Sequence, residues 1–595
     1  VKRQKDKRLI EQKLQPDVSQ RRVELLMGAL LFAFGVYHSV LYFGHLAVPN
    51  GDYPDFFREG RDLLSGIMPT NFKHAPVLGV LLNLFYPIAW GASRELTAGR
   101  LLNAVLHPFT VVLFWQVGKR IIGSSAVWFA IIAAINPWTI YSLADPVVET
   151  TFLFFILLSF YLIFSRSRWA YLAASIATMV RYEGAALILA AFLADIIHRK
   201  NRRDIINAFV FSTLASAPLL IWLILTAVTW KSGTSHYLSV FFSKEYAKGL
   251  TESANKTGLL LHLQLLWRVA FQSLLMPLPG ASKDFIETLF KLGKTAAIVG
   301  FVLGCVFAAF KRKWEVLMLL LFFTPYFVMH AYYPYPLTRF HSTIFWVALL
   351  IAWFGLQSIG GLLAKKIPLP RPAVLLLQTA LTIAMAVWCV TLVLYFSKAA
   401  SVSPTSASMP YVSMLLIGLI TAMRLFEGRF KHIPGNFCVA CVLCLVIASN
   451  QFNLSQLLGD GEREIEFKQL GEWFAANAGP GGKMAVYMDG PTRLYAGENA
   501  PNIVGFPKSV SPKDLVDKLR QLDVTYVVWA TREGYSHGQH TGYQQLGLNK
   551  NIAFLDKPRS IACYEFVRQI GSERGFVNVF RLRDKGDEQL PLPGN

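Results

Sequence analysis

Charge is what this sequence has least of. Only 16% of its 595 residues are Asp, Glu, Lys or Arg, where an average soluble domain carries about 25%. Hydrophobic residues make up 54% and aromatics 13%, and the mean hydropathy is +0.40. That balance is explained if much of the chain sits in lipid. Apolar runs of about 20 residues recur, among them Val23–Val48, Ala208–Trp230, Thr343–Ala364 and Ala373–Phe396, and each is long enough to cross a bilayer. One such run fits a signal peptide; this many do not.

Cysteine is scarce as well, with six in the chain. Cys438, Cys441 and Cys444 share one helical stripe inside an apolar run, but no further polar ligands or supporting shell accompany them. They read as small packing residues, with lipidation as an alternative. Cys563 alone lies in the polar tail, so no internal disulfide is expected there. Internal repeats are absent, which argues against repeat-built transporter folds. What the chain does have is positive charge, +21 overall with a pI near 9.6. Its lysines and arginines are scattered between apolar runs, which excludes a nucleic-acid surface and fits the marking of cytoplasmic loops.

Those cations set an expected topology. The basic segment 1–22 stays cytoplasmic, against anionic lipid, and the first span runs outward. Ala75–Trp90 is short for a span and contains Asn83 and Pro87, so it reads as an interfacial helix. With that choice Gly118-Lys119-Arg120, Arg166-Ser167-Arg168, His198–Arg203, Lys311-Arg312-Lys313, Lys365-Lys366 and Arg424–Lys431 all fall on the cytoplasmic side. The expectation is a polytopic α-helical membrane region over 23–452, with about 13 spans, N-terminus in and C-terminus out. Outside lie Asp145–Thr150, Arg181-Tyr182-Glu183, Lys231–Thr288, Ala331–Ser342 and Lys398–Met409. Interfacial helices are expected over about 53–66, 75–90 and 259–276, the last because Gln264, Arg268 and Gln272 form one polar stripe.

From about Asn453 the composition changes. Glu462–Ala476 and Ser511–Gln521 read as helices, and Lys483–Met488, Val524–Trp529 and Phe576–Leu582 as strands. Segment 453–595 is therefore expected to be an extracytoplasmic α/β domain. Its polar loop Thr531–His540 reads as solvated. Asn255-Lys256-Thr257 and Asn453-Leu454-Ser455 fit N-glycosylation triplets, a common pattern.

Charged residues at a membrane boundary are costly unless used, and the outside segments hold an unusual set. The first loop opens Asp52-Tyr53-Pro54-Asp55 and closes Leu63-Leu64-Ser65-Gly66, with Pro54 suited to a first helical turn and Asp52 to its cap. Lys73-His74-Ala75-Pro76-Val77-Leu78 follows. Then come Gly99-Arg100-Leu101-Leu102, Asn136-Pro137, Asp145, Val180-Arg181-Tyr182-Glu183-Gly184 and Thr338-Arg339-Phe340-His341. In the tail stands Asp523-Val524-Thr525-Tyr526-Val527-Val528. In this order the set resembles the polytopic glycosyltransferases of the GT-C class, which include the protein O-mannosyltransferases and the lipid A aminoarabinose transferase.

The resemblance implies transfer of a sugar from a polyprenyl-phosphate donor to an acceptor hydroxyl at the outer membrane face, with inversion. By position Asp52 matches the family's catalytic acidic residue and Asp145 its second acidic position. Lys73 matches the phosphate-contacting lysine. A base within reach of the acceptor hydroxyl is what Asp52 would supply, and positive charge for the departing phosphate is what Lys73, His74, Arg181 and Arg339 would supply. Asp55, Glu149, Glu183 and His341 are supporting candidates, with Glu149 placed one helical turn from Asp145. Read without the resemblance, Asp145 caps a helix before Pro146, and Arg181 and Arg339 snorkel to headgroups. No metal constellation is visible, although a divalent cation bridging Asp52 and Asp145 stays open. The acceptor is a lipid, protein or polysaccharide, in a plasma or inner membrane or the endoplasmic reticulum. Alternatives are transfer of a glycan from a lipid diphosphate, a lipid or sugar transporter, and a non-catalytic scaffold.

Overall fold

The computed structural model describes residues 18–69, 74–91, 93–198, 201–229, 258–271, 283–331, 338–366, 461, 464–479, 481–486, 489–507, 512–530, 563–572 and 575–583. Lys73, the apolar run Ala373–Phe396, the outside segment Lys398–Met409, the three clustered cysteines, the loop Thr531–His540 and both glycosylation triplets lie outside these residues.

The chain opens with α1 (Val18–Leu41), then α2 (Tyr53–Leu64) and α3 (Pro76–Phe85) in the first loop, and the long α4 (Arg94–Ile122). Then follow α5 (Ala126–Ile135), α6 (Pro137–Ala144), α7 (Val148–Phe164), α8 (Trp169–Val180), α9 (Ala185–His198) and α10 (Arg202–Thr229). After them come α11 (Gly258–Ala270), α12 (Lys283–Phe310), α13 (Trp314–Ala331), the single turn α14 (Thr338–His341) and α15 (Phe345–Lys366). Among the described residues five helices are long and apolar enough to cross a membrane, or six if the bent pair α6–α7 counts as one span.

Close helix packing rests on glycine. A Cβ on Gly35 of α1 would lie 2.5 Å from the Pro108 Cα of α4. One on Gly60 of α2 would lie 2.0 Å from the Gly79 carbonyl carbon of α3, and one on Gly355 of α15 would lie 1.9 Å from the Gly300 carbonyl oxygen of α12. Helices surrounded by lipid gain little from burying apolar surface against each other, so close van der Waals approach over small residues takes its place. Between them lies one continuous apolar core, in which Phe129, Phe152, Phe160, Phe322 and Trp346 are almost fully enclosed.

α3, with the short turn Tyr86–Ile88 after it, is too short to cross a membrane; it buries Leu78 and Leu82 and exposes Leu84, Ile88 and Trp90, as a helix lying at an interface would. Asn83 is explained by its amide, which donates to the carbonyls of Phe57 (2.8 Å) and Gly79 (2.9 Å). On α11 Gln264 and Arg268 are exposed on the same side while Leu265, Leu266, Val269 and Ala270 are buried.

One local expectation is corrected. The apolar run to Val48 is helical only to Leu41, because Gly44 adopts a left-handed φ of +70° and the Arg100 guanidinium holds the Leu46 carbonyl at 2.7 Å. Asp145 ends α6 at the corner where α6 and α7 meet at 119°, because Pro146 has no N–H to continue the ladder.

Beyond Gly461, α16 (Ile465–Asn477) packs on a sheet of β1 (Lys483–Ala485), β2 (Ile503–Val504), β3 (Val524–Ala530), β4 (Tyr564–Ser572) and β5 (Gly575–Leu582), ordered β2-β1-β3-β5-β4. The short helix α17 (Asp489–Arg493) follows β1, and α18 (Pro512–Gln521) precedes β3 on the face opposite α16. β2, β1 and β3 run parallel, and β3–β5 and β5–β4 antiparallel. Strand β4 was not anticipated, since a bulge between Phe566 and Arg568 interrupts its alternation. This unit rests on the first loop. The Tyr495 hydroxyl donates to the Ala47 carbonyl, the Ala47 N–H donates to the Gly461 carbonyl at 3.0 Å, and Gly490 packs over Gly51 and Pro54.

Candidate functional site

The site grows from the corner at Asp145. Asn136 caps α6 by accepting the Trp138 N–H at 3.0 Å and ties the corner to α11 by donating to the Val269 carbonyl at 2.8 Å. The Asn103 amide of α4 donates to the carbonyls of Ser142, Leu143 and Asp145 at 3.0–3.2 Å. These bonds satisfy backbone groups that the corner would otherwise strand in an apolar core. The Asp145 side chain, 2% exposed, accepts the Asn50 N–H at 3.1 Å. The Asn50 side chain in turn accepts the Asp52 N–H at 3.1 Å. Asp145 thus anchors the first loop and sets where Asp52 stands.

Asp52 is at the cap position of α2 but makes no side-chain cap bond. Its carboxylate instead accepts from the Arg339 guanidinium at 3.0 Å, across 287 positions of sequence. The expectation of a capping Asp52 is therefore corrected: the charge-assisted bond to arginine is stronger than a bond to a backbone N–H. Arg339 Nε also lies 4.0 Å from Glu149 Oε1. That same oxygen accepts from Arg181 Nη1 at 3.4 Å, and Arg181 Nη2 bonds Glu183 Oε1 at 3.0 Å. His330 Nε2 stands 3.1 Å from the same Glu183 oxygen. The result is one chain of alternating charge, Asp52–Arg339–Glu149–Arg181–Glu183–His330. Phe340 underlies both guanidiniums, with centroid distances of 5.3 Å to Arg181 and 5.6 Å to Arg339.

The snorkelling readings of Arg181 and Arg339 do not survive this arrangement, since both point inward to carboxylates. Burial on its own would lower their affinity for a proton, but Glu183 and Glu149 more than offset it at Arg181, as Asp52 and Glu149 do at Arg339. Burial would likewise raise the Glu183 carboxyl, yet Arg181 and His330 hold it well below the usual carboxylate range. The Glu149 reading is also revised: Asp145 precedes the first residue of α7, so the two carboxylates do not share a helical face.

Three further candidates face elsewhere. Asp55 pairs with Arg58 at 2.7 Å on the outer side of α2, with both side chains over one-third exposed. The His74 ring binds the buried Glu59 carboxylate at 3.1 Å and packs on Phe56. The Tyr182 hydroxyl donates to the His74 carbonyl at 3.1 Å and accepts from the Trp222 indole at 3.0 Å, which fixes the chain just after Lys73. His341 turns to His262 at 3.1 Å; burial and the neighbouring imidazoles push it down to about 3 and burial pushes His262 to about 4. Among the described residues no group of three His, Cys, Asp or Glu side chains is arranged to hold a metal ion. Asp52 and Asp145 are directed to different partners, Arg339 and the Asn50 N–H.

His330, Glu59 and Asn50 were missed by sequence reasoning. His330 had a signal, a titratable residue inside an apolar run; Glu59 looked like one of several charges on a surface helix.

The arrangement has counterparts in fold. ArnT from Cupriavidus metallidurans, solved bound to undecaprenyl phosphate, superposes with a TM-score of 0.51 at 13% identity, over 92% of this chain and 97% of that one. The Archaeoglobus fulgidus oligosaccharyltransferase in its apo form superposes with a TM-score of 0.51 at 10% identity, over 91% of this chain and 73% of that one. The fold is that of the GT-C glycosyltransferases. No family model and no curated protein matches the chain by sequence. At such identities the likeness is one of architecture, and it covers both the helical region and the C-terminal sheet unit. What the site does must be argued from its own residues.

Proposed function

We propose that this protein is a membrane glycosyltransferase that moves a sugar from a polyprenyl-phosphate donor to an acceptor hydroxyl. The observation that carries the reading is the guanidinium of Arg339, 3.0 Å from the partly exposed carboxylate of Asp52, with Arg181 beyond Glu149 along the same run of charges. A base and two fixed cations at one place are what displacement of a phosphate by a hydroxyl requires.

In the reaction, the acceptor O–H gives its proton to Asp52 as its oxygen bonds to the anomeric carbon. The bond from that carbon to the phosphate oxygen breaks on the opposite side, and its electron pair leaves with the phosphate. One displacement inverts the anomeric centre. Arg339 and Arg181, never deprotonated, balance the charge that grows on the phosphate, and Lys73 is a third cation for it. An incoming phosphate competes with Asp52 for the Arg339 guanidinium, so donor binding frees the carboxylate to meet the acceptor hydroxyl. Asp145 acts by positioning, through Asn50. The N-terminus lies on the cytoplasmic side, and the domain at 453–595 covers the site from outside.

Purified protein incubated with a panel of undecaprenyl-phosphate sugars and analysed by mass spectrometry should show transfer or donor hydrolysis. Asp52→Asn should abolish transfer while leaving the protein folded; full activity in that variant removes Asp52 from the mechanism.

A further inference from the structure

Adjacent side chains of the charge chain each carry a buried polar atom that lacks a hydrogen-bond partner among the described residues. One is Arg339 Nε, a donor; the other is Glu149 Oε2, an acceptor. Their side chains approach at Arg339 Nε and Glu149 Oε1, 4.0 Å apart, too far for a direct bond. Glu149 Oε1 is already committed to Arg181, and its side chain is only 2% exposed, so neither oxygen has ready access to bulk water. Leaving a charged donor and a charged acceptor unpaired in this way is costly.

We infer that Arg339 Nε and Glu149 Oε2 form a subsite for one hydroxyl group of the transferred sugar. A hydroxyl has the chemistry both atoms call for: its oxygen accepts from the Arg339 N–H while its proton is donated to Glu149. A phosphate oxygen satisfies only the arginine and is repelled by the carboxylate. An aliphatic group satisfies neither. The inference rests on the transferase reading and assigns the hydroxyl to the donor for a geometric reason. Asp52, which holds the Nη2 of the same guanidinium, is 27% exposed and so open to an acceptor arriving from outside, whereas Glu149 is only 2% exposed. Glu149 is then a specificity-determining residue for the donor sugar, and Arg339 contacts both the phosphate and the sugar of the bound donor.

The test compares two ligands on the full-length protein in detergent: undecaprenyl phosphate alone, and the undecaprenyl-phosphate hexose that binds the wild type most tightly. Glu149→Gln places an amide where the acceptor oxygen stood, and Arg339→Lys keeps a cation but deletes the Nε–H. The hexose should bind the wild type more tightly than the bare carrier, and each variant should shrink that preference by roughly 10- to 100-fold. Glu149→Gln should bind the bare carrier at least as well as wild type, since it removes a negative charge near the phosphate cations. Among single-deoxy versions of the hexose, one should show the same reduced preference on wild-type protein and no further loss on Glu149→Gln. An unchanged preference in both variants overturns the subsite, and so does equal loss of both ligands in Glu149→Gln, which marks a structural role only. Wild-type protein that binds neither lipid overturns the transferase reading itself.

Discussion

Replacing Glu183 with glutamine removes one charge from the most enclosed stretch of the site and preserves its shape. The carboxylate is 3% exposed and contacts Arg181 at 3.0 Å and His330 at 3.1 Å. Unit charges about 4 Å apart attract by about 4 kcal/mol at an effective dielectric of about 20. Glutamine still accepts one hydrogen bond from Arg181, retaining about 1 kcal/mol, and Glu149 at 3.4 Å takes up part of the unpaired charge. The expected loss is about 2–4 kcal/mol, at or below the roughly 3–5 kcal/mol typical of breaking a buried pair. Reversible SDS titration in mixed micelles of Glu183→Gln, Arg181→Gln and the double variant measures it, and the coupling energy should exceed about 1 kcal/mol. The sign of the pH effect follows from the lowered carboxyl. Its contribution is complete above the ordinary glutamate value of about 4.3 and is lost only as pH falls through the lower folded value. The deficit of Glu183→Gln should therefore be the same at pH 7 and pH 5. A loss under about 0.5 kcal/mol, additive single variants, or a deficit that shrinks between those pH values would refute the buried-pair argument.

Other outcomes follow from the same structure. Gly79→Ala would place a methyl 2.4 Å from the Phe56 carbonyl oxygen and 2.8 Å from the Gly60 nitrogen; it should cost about 1–3 kcal/mol in the same titration, and wild-type stability would mean α2 and α3 are not so close. His341 stays neutral in the folded state down to about 3, whereas the unfolded chain takes up its proton near pH 6.5, so stability should fall as pH drops. Between pH 6.5 and 5 the wild type should lose about 2 kcal/mol that His341→Gln does not, and parallel pH curves would count against this. Tyr495→Phe deletes the bond to the Ala47 carbonyl; limited proteolysis should release the C-terminal unit faster, consistent with a net bond of about 1 kcal/mol, and unchanged cleavage would mean the contact does not hold that unit down.

Much of the fold was legible because its causes are local. The membrane region follows from apolar runs with few charges, and α3 was separable from a span by counting residues against bilayer thickness. The strands at 483–485, 524–530 and 575–582 followed from short apolar runs between turn-forming segments. Strand β4 was illegible because its alternation breaks at a bulge, and the end of α1 because Arg100, distant in sequence, decides it. Candidate site residues were recognisable as charges at a membrane boundary, but not their roles. Asp145 and Glu149 look alike in sequence, yet one is bound by a backbone N–H and the other lies between two guanidiniums.

Composition and pattern alone determined that this is a polytopic membrane protein with a polar C-terminal unit, because transfer from water to lipid depends on which side chains a segment carries and little on its neighbours. The tertiary structure decided which charges meet. Arg339 and Asp52 are 287 positions apart and pair only because the Asp145 corner holds the first loop against α14. Ion pairing depends on a few ångströms of separation inside a low-dielectric core, and no spacing in the sequence encodes that distance.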